Sequence, residues 1–443
     1  KSLTVDSAIT YDTTTRYRKT FVMTLEHDRE IFDVAEHTEH VTFQKTTRRT
    51  DNDFDLPMIV HDRLAYSPEE YIRRYNAIQK AMEELQLDAL LLRSQENITY
   101  FSGYESPGYY KYHCVVCPKD GEPVFLVRDF EWINSPEFAW STKIAKVYDW
   151  DHPPTVTANV LQQLGLGAGK RIGVEKQGFF FTVDEHQTLI SLLPDNEYIE
   201  ATEILWNSRM VKSSEEIAVM RKSAKLVDLA MTAGYEATQP GATADQISGV
   251  VNKTLFENGG EYMGLPPFVL AGERSCLPHQ TGGNNALGAD DLMYFEISAS
   301  KHRYTAALMR TLFVGNPKDE WLRVADACIG SVHAAMDTIK PGATPHDADT
   351  AARAVTTKAG FGDYHRNRLG YSIGVNYPPD WGEGEIISLR QNEHRPLQVG
   401  MTFHMPPLCL KYREFGIGFS ESIVVTEEGC ERLGRFPLEI VVK

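Results

Sequence analysis

Glu296 stands in the run LMYFEIS (Leu292 to Ser298), which is otherwise apolar enough to be a buried strand. An unpaired carboxylate in such a place is costly, so its presence points to chemical use, as a base or as a nucleophile toward an electrophilic carbon. His279, in the loop ERSCLPHQ, can carry a proton near neutral pH. Asp380 and Trp381 follow two prolines in a rigid loop, which suits a turn or a contact to substrate equally. Tyr104, Tyr109, Tyr110 and Tyr112 cluster in SGYESPGYYKYH, where ring faces can box an organic cation; a packed loop at a domain interface is the competing reading. Cys114 and Cys117 make a CxxC, but no second pair accompanies it and HCVVCP reads as an apolar strand, so both are taken as structural.

These residues sit in a chain of 443 residues with 61 acidic and 45 basic side chains, a formal net charge of −16. A nucleic-acid binder is excluded as first reading, because a phosphate-reading face would have to be built against that balance. With 42% hydrophobic and 24% charged residues the composition is that of a globular protein, and the length suits two or three domains. No apolar run approaches the roughly 18 residues that span a bilayer, and the first twenty residues hold no signal-peptide core. The expectation is a soluble, cytoplasmic protein without a membrane partner.

The elements that position the chemistry can be traced by caps and periodicity. Residues 1–65 are polar and weakly periodic and read as an N-terminal arm. Ser67-Pro68-Glu69-Glu70 opens a helix, and LDALLLR, EPVFLVR and KRIGVEK read as buried strands, so 66–205 is an α/β domain. A capping box at Ser213 and Glu216 opens a long helix and a second domain over 206–443. Within it a helix, Pro-Gly-Ala-Thr turn, helix unit occurs twice, at Pro240 to Thr243 and at Pro341 to Thr344. Each copy leads to Gly-punctuated strands, which implies a duplicated ααββ half with pseudo-two-fold symmetry and a ligand groove between the halves.

From about residue 66 onward the chain resembles the creatinase and methionine aminopeptidase, or pita-bread, superfamily. The segments that carry the likeness are KSSEEIAVMRKSA, AGERSCLPHQ, FEISASKHRYTAALMRTLFVG, LGYSIGVNYPPDW, VGMTFHMPP and FSESIVVTEEG. The resemblance implies an α/β (α+β) chain: a creatinase-like N-terminal domain followed by a pita-bread catalytic domain. Metallopeptidases of the superfamily hold two metal ions with two Asp, one His and two Glu. The corresponding positions here are Glu296, Ala307, Tyr371, Pro406 and Glu421, so two carboxylates remain and a bridged metal pair is not expected. His404 shares strand parity with Pro406, which leaves one divalent ion at Glu296, His404 and Glu421 as the secondary expectation.

The GYxIGxxYPPDWGE and GMTFH strings resemble the metal-free branch, and within it ectoine hydrolase. That likeness implies a metal-independent homodimeric hydrolase, without cofactor, that opens a C–N bond of a small cationic zwitterion. Glu296, His279, Tyr371 and Asp380 are the catalytic candidates. Glu421, His404, Trp381 and the loop with Tyr109, Tyr110 and Tyr112 would bind substrate, the loop reaching a neighbouring subunit's site. A cation between the two glutamates would relieve their repulsion. A lyase acting on dimethylsulfoniopropionate, with Glu296, Tyr371 or Asp380 as base, is the first competing reading. A non-catalytic solute-binding protein is the second.

Overall fold

The computed structural model describes residues 44–45, 64–140 and 143–443. In the first unit the helix Pro68–Glu84 begins where the sequence signals it, with Pro68 in its first turn and the Ser67 hydroxyl accepting the Glu70 N–H. A mixed seven-stranded sheet follows, in the order Gln44–Lys45, Lys143–Val147, Val124–Arg128, Cys114–Pro118, Ala89–Leu92, Arg171–Val174, Glu197–Glu200. The central strands are buried along their whole length because both sheet faces are covered. Cys114 and Cys117 lie three apart on one strand and so enter opposite core layers. Burial raises both thiols to about 12, in keeping with a structural role. The reading of an arm over 1–65 falls almost wholly outside the described residues; the backbone of Gln44–Lys45 pairs with the edge strand at Lys143 and Ile144.

The duplication in the second unit repeats hydrogen bond by hydrogen bond. In the first copy, helix Ser214–Ala237 ends in a turn at Gly241, and Thr243 caps helix Ala244–Glu257. In the second, helix Asp319–Thr338 leads to Gly342, and Thr344 caps helix Pro345–Lys358. Gly241 and Gly342 sit at φ 85° and 86°, a left-handed conformation that glycine adopts without a Cβ penalty. Each donates its N–H to a leucine carbonyl, Leu287 or Leu397, and each leucine returns a bond to the alanine after the glycine.

Strands Phe268–Ala271, Asp291–Lys301 and Tyr304–Val314 form the first half's sheet, with Val441–Val442 at its edge. The second half's sheet runs Ser388–Leu389, Gly370–Ser372, Thr402–Met405, Glu421–Val425, Cys430–Arg432. Serine side chains stitch the two sheets together. Ser422 Oγ accepts the Ala307 N–H and donates to the Ala307 carbonyl, and Ser420 Oγ accepts the Met309 N–H at 2.6 Å.

Where the units meet, the helix Thr202–Met210 carries Arg209 into a buried charge network. Glu383, 3% exposed, accepts from Arg209 and from Lys212, each at 2.7 Å, and Arg209 also donates to Asn97 of the first unit. Burial alone would raise the Glu383 carboxyl, but Lys212 and Arg209 outweigh it and hold it below its ordinary value. Its contribution to stability is therefore complete above the unfolded-state value of about 4.3 and is lost as pH falls through the lower folded-state value. Glu383→Gln, which strands two buried cations, should cost about 3 kcal/mol in urea unfolding at pH 7. The gap between variant and wild type should narrow as the buffer is taken below pH 4.

Candidate active site

The strand Asp291–Lys301 alternates, so Tyr294 and Glu296 share the face that looks into the groove between the halves. The Tyr294 hydroxyl donates to Glu296 Oε2 at 2.7 Å. Around the carboxyl lie Phe268, Ala307, Met309 and Trp381, all buried, with Tyr371 and Leu408 packed against them. Burial in these apolar surroundings raises Glu296 to about 7, against the opposing Tyr294 hydrogen bond. A carboxyl so placed exchanges its proton near neutral pH.

A chain of hydrogen bonds runs along the other half's contribution. Trp381 Nε1–H donates to Tyr371 Oη at 2.7 Å, Tyr371 Oη meets His404 Nδ1 at 2.9 Å, and His404 Nε2 meets Ser420 Oγ at 2.7 Å. His404 is fully buried, and burial together with the nearby Arg310 lowers it to about 3, so the ring is neutral. Both its nitrogens are taken, which sets it as a support for Tyr371 rather than as a substrate or metal contact. Asp380 turns back on its own loop, accepting from the backbone of Trp381 at 2.6 Å and of Gly382 at 3.1 Å. It also borders a cavity of about 570 Å³ between the two units. His279 lies exposed at the rim, its backbone at φ 55° and its ring 5.6 Å from that of Phe268, without a hydrogen bond to Glu296.

Two expected substrate contacts are corrected by the geometry. Strand pairing sets His404 opposite Ser422 and Met405 opposite Glu421, so Glu421 projects to the sheet face away from Tyr371 and His404. There its oxygens face Arg310 at 2.6 Å and Arg432 at 2.8 Å, and its charge is compensated inside the protein. Ser420, one residue earlier, occupies the site face instead. The tyrosine loop is split. Tyr112 is held in the first unit by Thr157 at 2.6 Å and by Arg93 over its ring, and so is not available to a neighbouring subunit. Tyr109 packs on Tyr377 of the same chain, and Tyr110 points to solvent.

Sequence reasoning did not find Tyr294, Ser420, Arg310 or Arg368. Strand alternation would have flagged Tyr294. Arg368, an exposed guanidinium lying 5.0 Å from the Tyr371 ring centroid, has no local sequence signal.

Residues 218–427 match metallopeptidase family M24, and residues 74–211 match the creatinase/prolidase N-terminal domain. An uncharacterized hydrolase/peptidase of Sinorhizobium fredii is 30% identical over 84% of this chain and 96% of its own. The chain belongs to family M24. The ectoine hydrolase of Halomonas elongata is 29% identical over 86% of this chain and 99% of its own. A crystal structure of a Thermococcus sibiricus prolidase superposes with a TM-score of 0.76 over 84% of this chain and 99% of that one, at 18% identity, which speaks to fold alone. Hydrolysis is accordingly the reaction class on this fold.

Family membership also overturns the expectation of a protein without cofactor. The family is one of metallopeptidases, and among the described residues Glu105, Glu261 and His302 form a group able to hold a metal ion. The secondary expectation, an ion at Glu296, His404 and Glu421, is corrected too: those three side chains are not gathered, since Glu421 faces away and His404 is spent on Tyr371 and Ser420. On the groove face, one carboxylate, a phenol, a neutral imidazole and a serine hydroxyl do not fit a bridged metal pair, which needs several anionic oxygens.

Glu421→Gln tests the corrected assignment. Loss of the buried ion pair should lower unfolding stability by about 3 kcal/mol, while KM of the folded variant stays at the wild-type value. A raised KM with unchanged stability would return Glu421 to the substrate.

Proposed function

We propose that the protein hydrolyses a C–N bond in a small zwitterion whose cation is an amidinium, with ectoine as the best single substrate. The observation that carries this reading is the Glu296 carboxyl, raised to about 7 in a wall of Phe268, Trp381 and Tyr371. As the anion it complements a planar cation that the rings can cover. Likeness to ectoine hydrolase over almost that enzyme's whole length supports the substrate class.

In the reaction, a Glu296 oxygen bonds to the amidinium carbon and the C=N pair moves to nitrogen. The C–N bond then breaks, and the leaving nitrogen takes a proton from Tyr371 or His279. Water attacks the same carbon and expels the Glu296 carboxylate, so that one water is consumed and an amide and an amine are formed. Arg368, at the rim beside Tyr371, is placed to meet the carboxylate of the zwitterion.

Incubation with ectoine, creatine and dimethylsulfoniopropionate in separate tubes, followed by NMR, decides between the readings. Ring opening of ectoine is expected; acrylate with dimethyl sulfide as the only products would replace hydrolysis by elimination. Glu296→Gln should fold normally and lose roughly two or more powers of ten in turnover. For the wild type, kcat/KM should rise with pH to a plateau with a midpoint near 7, the value at which free Glu296 becomes the anion. Arg368→Gln should raise KM about tenfold or more with a smaller change in kcat, the pattern of a lost charge-assisted contact to the substrate.

A further inference from the structure

Glu105, Glu261 and His302 come together on the side of the molecule where the loop after helix Gln95–Ser102 of the first unit meets the catalytic unit. Their possible ligand atoms all lie within 4.8 Å of one another. Glu261 is fixed by the hairpin that joins strands Asp291–Lys301 and Tyr304–Val314, accepting the backbone N–H of His302 at 2.7 Å and of Arg303 at 3.0 Å. His302 and Arg303 hold positive φ angles of 46° and 62° in that turn, and His302 borders a small cavity with Tyr71 and Phe138 of the first unit.

The two carboxylates at this spot are only partly offset, by Arg303 and Lys301. The Glu105 carboxylate accepts no hydrogen bond among the described residues, and burial, with Glu261 beside it, raises it to about 7. The hydrogen bonds of the neighbouring cations go to backbone carbonyls rather than to Glu105. Arg303 donates to the carbonyls of Tyr262 and Asn376 and lies between the rings of Tyr262 and Tyr377, its Nη1 4.0 Å from Glu261. Lys301 donates to the Gly259 carbonyl. Burial also lowers His302, which favours the neutral imidazole that a metal requires.

A second and independent feature points to a ligand here. Tyr71 is completely buried, and among the described residues its hydroxyl finds no acceptor for its proton; only the Ala65 backbone N–H approaches the oxygen. Tyr71 lines, with Glu105 and His302, one small cavity. Gly103 borders the same cavity, and a Cβ at that position would lie 2.7 Å from the Tyr71 hydroxyl. An orphaned buried hydroxyl costs free energy unless something occupies the space before it.

We propose that Glu105, Glu261 and His302 form a divalent-cation site that clasps the first unit to the catalytic unit, with a metal-bound water facing the Tyr71 hydroxyl. Two carboxylate oxygens, one imidazole nitrogen and a water make a four-ligand set suited to zinc rather than to the oxygen-rich shells of calcium or magnesium. The clasp is separate from the reacting groups: His302 lies six residues beyond Glu296, in the turn just past the end of that strand, about 20 Å away along an extended chain. Its role is to fix the hairpin and, through Arg303 and Tyr377, the loop that carries Asp380 and Trp381.

The test uses the full chain stripped with a chelator and titrated with Zn²⁺, read by calorimetry and by thermal unfolding. One ion per chain and a raised Tm are expected, with no equal effect from Mg²⁺. Glu105→Gln preserves size and should fold, as checked by far-UV circular dichroism; it should lose at least tenfold in zinc affinity together with the Tm gain, and His302→Ala should do the same. Glu296→Gln should bind zinc as wild type does. Unaltered zinc binding in Glu105→Gln, or its loss in Glu296→Gln instead, would overturn the clasp.

Discussion

The placement of the site rests on one buried carboxylate, Glu383. Two cations converge on it, and each reaches onward: Arg209 to Asn97 of the first unit and to the Val375 carbonyl, Lys212 to the Ser372 hydroxyl next to Tyr371. A charge at that depth is tolerated only while both cations remain in place. The constraint is tight enough that Gly374 has no room for a side chain, since a Cβ there would lie 2.6 Å from the Glu383 carboxylate. The loop with Asp380 and Trp381 is thereby pinned at both ends, by Tyr377 and by Glu383, and Trp381 is delivered to Tyr371.

The groove then works through contrast between two carboxylates. Glu421 is paired with two arginines on the far face of its strand. Glu296 has a phenol and an apolar wall, so its proton is loosely held near neutrality. Glu296 can therefore change charge state during a reaction at physiological pH, and it lies on the groove face where Glu421 does not. Tyr371, fed by Trp381 and steadied by His404, completes a surface that is aromatic above and acidic below.

The repeat, the caps and the buried strands were legible in the sequence because they are local: Ser67, Ser213, Thr243 and Thr344 cap helices, and two glycines make the same turn twice. Glu296 was legible too, as a charge in an apolar run. Glu421 misled because facing depends on pairing across strands. In FSESIVV a serine and a glutamate are adjacent, and which one enters the groove is set by the register with Thr402–Met405, information that the segment itself does not contain. The tyrosine loop misled for a similar reason: four tyrosines look alike as letters, but Arg93 and Thr157 lie far along the chain and claim Tyr112 for the first unit's core.

The serine seam between the two sheets has a mechanical meaning. A duplicated half brings its own sheet, and two sheets laid edge to edge would ordinarily merge through a backbone ladder. Here a few backbone bonds cross, from Ser420 to Met309 and from Thr305 to Gly374, and the hydroxyls of Ser420 and Ser422 supply further links to Ala307 and Met309. A hydroxyl rotates about one bond, whereas a ladder rung moves only with its strand. The halves are thus joined by swivelling pins set among a few fixed rungs, not by a continuous weld. Small breathing of the cleft, enough to admit a solute and then close on it, can occur at the seam while every helix and both sheets keep their form.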